Sequence, residues 1–471
     1  MKRQILLSTL SALALSGCAV GPEFAPPVPP VASSGPFISG QDQAFAPDPL
    51  PANWWRLYND PVLDSLVRDA LAANTDVRVA TARIERARAS LRGAKGDRLP
   101  QTSIDAGGNY RRLPENQALP GMDREGWNVN AGLNVSYEAD LFGRVSRNVE
   151  AGRADLAAAQ ADADAVKVMV VAETTRAYAD AASSAARLKV ADQIVSLLDH
   201  SLSLTRQRHD AGMESGLAVA RIATLRQQRA AEIPQIAAQR QAALFRLATL
   251  TGRAPADLPP IAGERSVSLE ITQAIPVGDG AALLARRPDI RAAEQRLAAD
   301  TARIGVATAD LYPKISFGGS VGSTGPDIGD IFSGGPFNWL IGPLLSWTFP
   351  NTEAIRARID AANADAHASL ANFDGTVLVA LQETETALNA YSQSLRRRAA
   401  LQEAQKEAQR ATRITRAQQK EGTINSLDLL ESERTLAETT AQLADQDAQV
   451  SDAQIDLFRA LGGGWEESSS E

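Results

Sequence analysis

The chain has 471 residues and a net charge of −8, from 48 basic and 56 acidic side chains, so it lacks the basic excess that nucleic acid would require. Aromatic residues make up only 5% of it and its mean hydropathy is −0.19. No apolar run beyond the N-terminus approaches the ~18 residues of a membrane-spanning helix, which leaves open a β-barrel built from short alternating strands.

Residues 1–17 read as a secretory signal peptide: Lys2 and Arg3, an apolar run over 5–15, then Leu15-Ser16-Gly17-Cys18. Those last four positions read as a bacterial lipobox, where cleavage before the cysteine is coupled to diacylglycerol attachment. Cys18 is the single cysteine, so no disulfide can form within the chain. Ala19 after it favours the outer membrane over inner-membrane retention. Residues 18–52 are punctuated by proline and predict an extended, lipid-anchored tether.

A first structural repeat spans 53–252. Asn53-Trp54-Trp55 and Asp60-Pro61 open a helix to about 73, and a second follows over about 75–95. Strands are predicted at about 101–112 and 126–138. In the second of these, Trp127, Val129, Ala131, Leu133, Val135 and Tyr137 alternate with Asn128, Asn130, Gly132, Asn134, Ser136 and Glu138. From Gly143 to Gly212 there is no proline, and an unbroken helix would be about 100 Å long. Its small and apolar residues (Val145, Val149, Gly152, Leu156, Ala159, Ala163) recur at coiled-coil spacing, with a stutter at Glu173. A return helix starts near Leu217, and Pro234 predicts a kink or break in it.

After a linker at 253–280 the pattern recurs over 281–462. A shift of 210 carries Gly212 to Gly422, Leu247 to Leu457 and Gly252 to Gly462. Strands are predicted at about 313–323 and 338–349, and a second long hairpin turns near Gly422. Residues 463–471 form a polar tail. The chain is one unit duplicated: mainly α, with strands of the length that crosses a bilayer when tilted.

Four such strands cannot close a barrel, since about eight are needed, and open edges are not tolerated in lipid. The barrel is therefore shared between chains, two giving eight strands and three giving twelve. Catalytic constellations are missing. The three histidines, His200, His209 and His367, are not at metal-ligand spacing, and 318–325 lacks the Lys-Ser/Thr ending of a phosphate loop. The sequence predicts no enzyme and no cofactor beyond the covalent lipid on Cys18.

Several stretches together carry a resemblance to the TolC-like outer-membrane efflux proteins, in particular their lipoprotein (NodT/OprM-like) branch. They are Cys18-Ala19-Val20-Gly21-Pro22, Asn53-Trp54-Trp55, the segment Tyr137-Glu138-Ala139-Asp140-Leu141-Phe142-Gly143, Arg287-Pro288-Asp289-Ile290, Leu311-Tyr312-Pro313, and Ser426-Leu427-Asp428-Leu429-Leu430. The resemblance implies a homotrimer with a shared twelve-stranded barrel in the outer membrane and a twelve-helix periplasmic tunnel. It also implies a periplasmic adaptor and an inner-membrane resistance-nodulation-division transporter as partners. Efflux of drugs or other small toxic compounds follows from it. The alternatives are the channel of a type I protein secretion system and a purely structural periplasmic rod, against which the strand alternation argues.

The resemblance also places the hairpin tips, Gly212, Met213, Glu214 and Gly216 with Gly422, Thr423 and Ile424, against the adaptor. In related channels the second hairpin constricts the periplasmic end. Asp428 and Glu431, three apart, share a helix face here, while the 210-residue shift puts Ala218 and Arg221 at their places in the first hairpin. Like charges about 8 Å apart repel by roughly 2 kcal/mol at an effective dielectric near 20, so closure calls for a counter-charge such as Arg221 or a bound cation. Ile424-Asn425 stand where related channels often carry an arginine.

Overall fold

A computed structural model describes residues 19–28, 34–114, 116, 121, 123–329, 337–424 and 426–463. The signal peptide, Cys18, Asn425 and the tail from 464 lie outside the described residues.

Asp60 starts α1 (Pro61–Ala73): its carboxylate accepts from the amides of Val62 and Leu63, and Pro61 sits in the first turn, where a missing N–H costs nothing. Helix α2 (Thr75–Gly96) leads to strands β2 (Gln101–Arg112) and β3 (Glu125–Ala139). Helix α3 (Arg144–Asp210) then runs unbroken for 67 residues, and α4 (Gly216–Leu250) returns. The second repeat gives α5 (Gly280–Arg286), α6 (Pro288–Ala309), β5 (Lys314–Gly325), β6 (Phe337–Ser346), α7 (Glu353–Lys420) and α8 (Ser426–Ala460).

The residues form two compact units. One takes the described residues within Met1–Pro27, Arg83–Gln160 and Ala292–Phe373; the other takes those within Val28–Ala82, Ala161–Arg291 and Asp374–Glu471. The first unit contains an antiparallel sheet in the order β2-β3-β5-β6. The core of the second gathers Trp54, Trp55, Tyr58, Leu247, Leu388, Tyr391 and Phe458, and Trp54 stacks on Phe458 with ring centroids 4.5 Å apart.

Three predicted features take a different form. Helix α4 passes through Pro234 without a break. Proline removes one backbone bond there, and the buried Leu225 before it and Ile236, Ala243 and Leu247 after it anchor the helix on both sides. The tether, read from sequence as an extended segment, and the linker at 253–280 meet in a two-residue parallel pairing of β1 (Phe45–Ala46) with β4 (Ile275–Pro276). Phe37, Phe45 and Leu50 are buried from one segment, and Leu269, Ile271, Ile275 and Val277 from the other. Strand β6 ends at Ser346, short of 349. Trp347 instead stacks on Phe349 at 4.9 Å and donates its indole N–H to the Leu311 carbonyl at 3.0 Å.

Candidate functional site

Strand register sorts the sheet into two faces. Ile104 lies opposite Leu133, Leu133 opposite Val321, and Val321 opposite Trp339; Tyr110 pairs with Trp127 and Tyr137 with Phe317. This apolar face is open: Ile104 is 80% exposed, Trp339 69% and Ile341 77%. The other face carries Ser103, Asn109, Asn128, Asn130, Asn134, Ser136 and Ser320, with Leu340 and Leu344 of β6 as its apolar departures. Among the described residues β2 and β6 are each hydrogen-bonded on one side only. A sheet with a bare apolar face and two free edges is stable in water only when something covers it.

The hairpin turns are built alike. Gly212 and Gly422 take positive φ values of 74° and 71°. Gly212 donates to the His209 carbonyl and Met213 to that of Arg208, both at 2.8 Å; Gly422 and Thr423 donate in the same way to Gln419 and Gln418 at 3.0 Å. This closes each helix with a left-handed cap that only glycine adopts freely. Among the described residues nothing comes within 4 Å of a Cβ placed on either glycine, so there backbone conformation and not crowding limits the tips. Met213 is exposed, as is Thr423. Glu214 lies 3.9 Å from Arg208. Ser215 caps α4 by accepting from the Ala218 amide at 3.2 Å, which makes Gly216 its first residue. Ile424 is half-buried.

Just past the turns, α4 and α8 enclose a groove of about 690 Å³ whose lining includes Leu217, Arg221, Leu225, Asp428, Glu431 and Arg434. The structure therefore brings Arg221 and both carboxylates to one place. Glu431 is matched with Arg434, at 2.8 Å and one turn on, and not with Arg221.

Sequence reasoning missed the neighbouring Glu433. Its side chain is 1% exposed, although a lone charge in a helical repeat ordinarily marks a solvated face. It lies 2.9 and 2.8 Å from the Ser201 hydroxyl and accepts from Nε and Nη2 of Arg416 at 3.2 and 3.0 Å. No pattern in α8 alone signals this, because one partner comes from α3 and the other from α7.

Farther along the hairpins, α3, α4 and α8 share a ladder of ion pairs: Arg187–Asp445, Arg246–Asp180 and Arg176–Asp456, each at 2.5 Å. Asp452 stands among them. Burial and then the neighbouring Asp180 push its carboxyl up to about 6, against the pull of Arg176 and Arg246. Arg287 of the Arg287-Pro288-Asp289-Ile290 motif is buried, holding Asp289 at 2.7 Å, Glu383 at 2.8 Å and the Ala460 carbonyl at 2.9 Å. That motif is a clasp on the end of α8. The His209 ring lies 3.4 Å from Asp210 on an exposed surface, and no cluster of metal-ligating side chains occurs among the described residues.

The family described as Outer membrane efflux protein matches residues 66–253 and again 281–463. Outer membrane protein OprJ of Pseudomonas aeruginosa is 32% identical over 462 residues, covering 98% of this chain and 96% of that protein. Nodulation protein T of Rhizobium leguminosarum bv. trifolii is 31% identical, covering 96% of each. Among solved structures, that of the outer-membrane channel OprN superposes with a TM-score of 0.88 at 34% identity, covering 95% of this chain and 100% of that one.

Proposed function

The chain belongs to the outer membrane efflux protein family, and from that premise we propose that it is one third of the exit duct of a tripartite efflux system. As a member it is an outer-membrane efflux channel and not an enzyme, and channels of this kind imply an adaptor and an inner-membrane pump. In our reading three copies contribute four strands each to one twelve-stranded barrel. A periplasmic adaptor meets the tips around Gly212 and Gly422, and a resistance-nodulation-division transporter supplies the energy. The cargo is drugs or other small toxic compounds. Cys18 carries the lipid, and Asp428 and Glu431, with Arg221 opposite, form the periplasmic constriction.

The observation that carries this reading is the incomplete sheet, with its bare apolar face and its free edges at β2 and β6. Lipid satisfies the face, and only more strands satisfy the edges. Native mass spectrometry on the channel extracted from outer membranes tests copy number and anchor together. The expected species holds three chains, each starting at an acylated Cys18. A monomer retaining conductance would sink the shared barrel, and an unmodified Cys18 would sink the anchor.

A further inference from the structure

Helix α8 sorts its carboxylates onto opposite sides just past the tip. Its buried row runs Leu429, Glu433 and Ala437, which are 7%, 1% and 1% exposed. A charge thus sits in the middle of a row otherwise given to apolar side chains. Asp428 and Glu431 are exposed. At roughly 100° per residue, Glu433 lies about 160° around the helix from Glu431 and about 140° from Asp428. Whatever fixes the direction of Glu433 therefore fixes the direction of the other two.

Its partners come from both hairpins. Ser201 belongs to α3 of the first and Arg416 to α7 of the second, and both reach the Glu433 carboxylate. Next to it Thr412 donates to the Ser432 carbonyl at 3.1 Å, and the Thr415 and Ser432 hydroxyls are 2.8 Å apart. A leucine at this place would pack at a range of helix rotations. A buried carboxylate is tolerated only where its hydrogen bonds are made, so Glu433 is satisfied at one rotational setting of α8.

We propose that Glu433 is a positioning residue of the gate: with Ser201 and Arg416 it sets the rotation of α8, and so holds Asp428 and Glu431 in the groove they share with Arg221. This rests on the reading that those two carboxylates form the constriction.

The test is single-channel recording in planar bilayers of the assembled channel carrying Ser201→Ala, Arg416→Met or Glu433→Gln, with magnesium ions as the blocking probe. Each substitution is expected to raise the open-to-closed ratio by about tenfold, the size of losing one hydrogen bond to a charged group. Magnesium block persists, because both gate carboxylates remain. Wild-type gating in all three overturns the inference. Glu433→Leu combined with Ser201→Ala rebuilds the row as an apolar one and guards against misfolding of the single variants. If Glu433 serves packing alone, this double variant closes as the wild type does and the inference fails; if it sets rotation, the channel opens. Should Asp428→Ala with Glu431→Ala leave magnesium block intact while the Glu433 set still opens the channel, the constriction is misplaced and the fixed setting of α8 stands.

Discussion

Val168 in α3 and Leu378 in α7 occupy the same place in the two repeats, 210 residues apart, yet Val168 is 7% exposed and Leu378 63%. The difference extends along both helices. Val171, Ala172, Thr175 and Ala179 are buried in α3, whereas their counterparts in α7 are Leu381, Gln382, Glu385 and Asn389. Glu385 even serves as a surface acceptor, taking the amides of Ile38 and Ser39 at 2.7 and 2.8 Å. Duplication supplied two equal helices, and their surroundings made them unequal. At Val168 and the buried residues after it α3 is covered within its own chain, although Met169 and Leu204 of α3 stay exposed, while α7 leaves Leu378, Val379 and Ile414 open. An open apolar face on a long helix is what a neighbouring copy would cover, and this supports the trimer from a part of the chain independent of the strands.

The sharpest way to break this comparison is to put the same charge at both places. Val168→Asp buries an unpaired carboxylate and should cost about 4 kcal/mol, enough to prevent folding. Leu378→Asp should leave the helices formed and prevent assembly instead. Circular dichroism and native mass spectrometry on the two variants separate these outcomes, and identical behaviour would remove the distinction between a covered and an uncovered helix.

The tips come next in expected effect. Gly212→Arg and Gly422→Arg each force a side chain into a left-handed conformation at roughly 1–2 kcal/mol, with no steric clash to add. Both should assemble in the outer membrane and lower drug tolerance several-fold. Wild-type tolerance in the combined variant would rule out tip docking, and an effect from one glycine alone would show that the adaptor distinguishes the hairpins.

The smallest effect concerns Asp452 of the second repeat, whose counterpart in the first, 210 residues earlier, is the uncharged Ala242. Its folded carboxyl titrates near 6, above the usual value of about 3.9. The folded state therefore holds the proton more tightly, so this residue's contribution is most favourable below pH 4 and is lost as pH rises through 6. Asp452→Asn should raise the unfolding temperature at pH 7.5 by a few degrees and by less at pH 5. An equal gain at both values would contradict the assignment.

Much of this was legible in the sequence, because it is written in periodicity. Alternation such as Trp127 to Glu138 reads as a two-faced strand, and coiled-coil spacing along the proline-free run after Gly143 reads as a long helix. The 210-residue shift exposes the duplication directly. What stayed hidden depends on partners distant in sequence. The β1–β4 pairing is two residues long, too short to alternate. Arg287 reads as a motif but acts as a clasp only once Glu383 and Ala460 arrive. Glu433 looks like any solvated helix charge until Ser201 and Arg416 close over it. The acidic pair Asp428 and Glu431 was visible, and so was Arg221 across from it, but not that Arg434 takes Glu431 first.

The central claim is that the repeats have divided their work, with the second hairpin carrying the gate. Its most direct test is the conductance of single channels with Asp428→Ala and Glu431→Ala, recorded with and without magnesium. The account predicts higher conductance, weaker cation selectivity and loss of divalent block, since the carboxylates proposed to narrow the passage and bind the ion are gone. Conductance, selectivity and block all equal to wild type would contradict it.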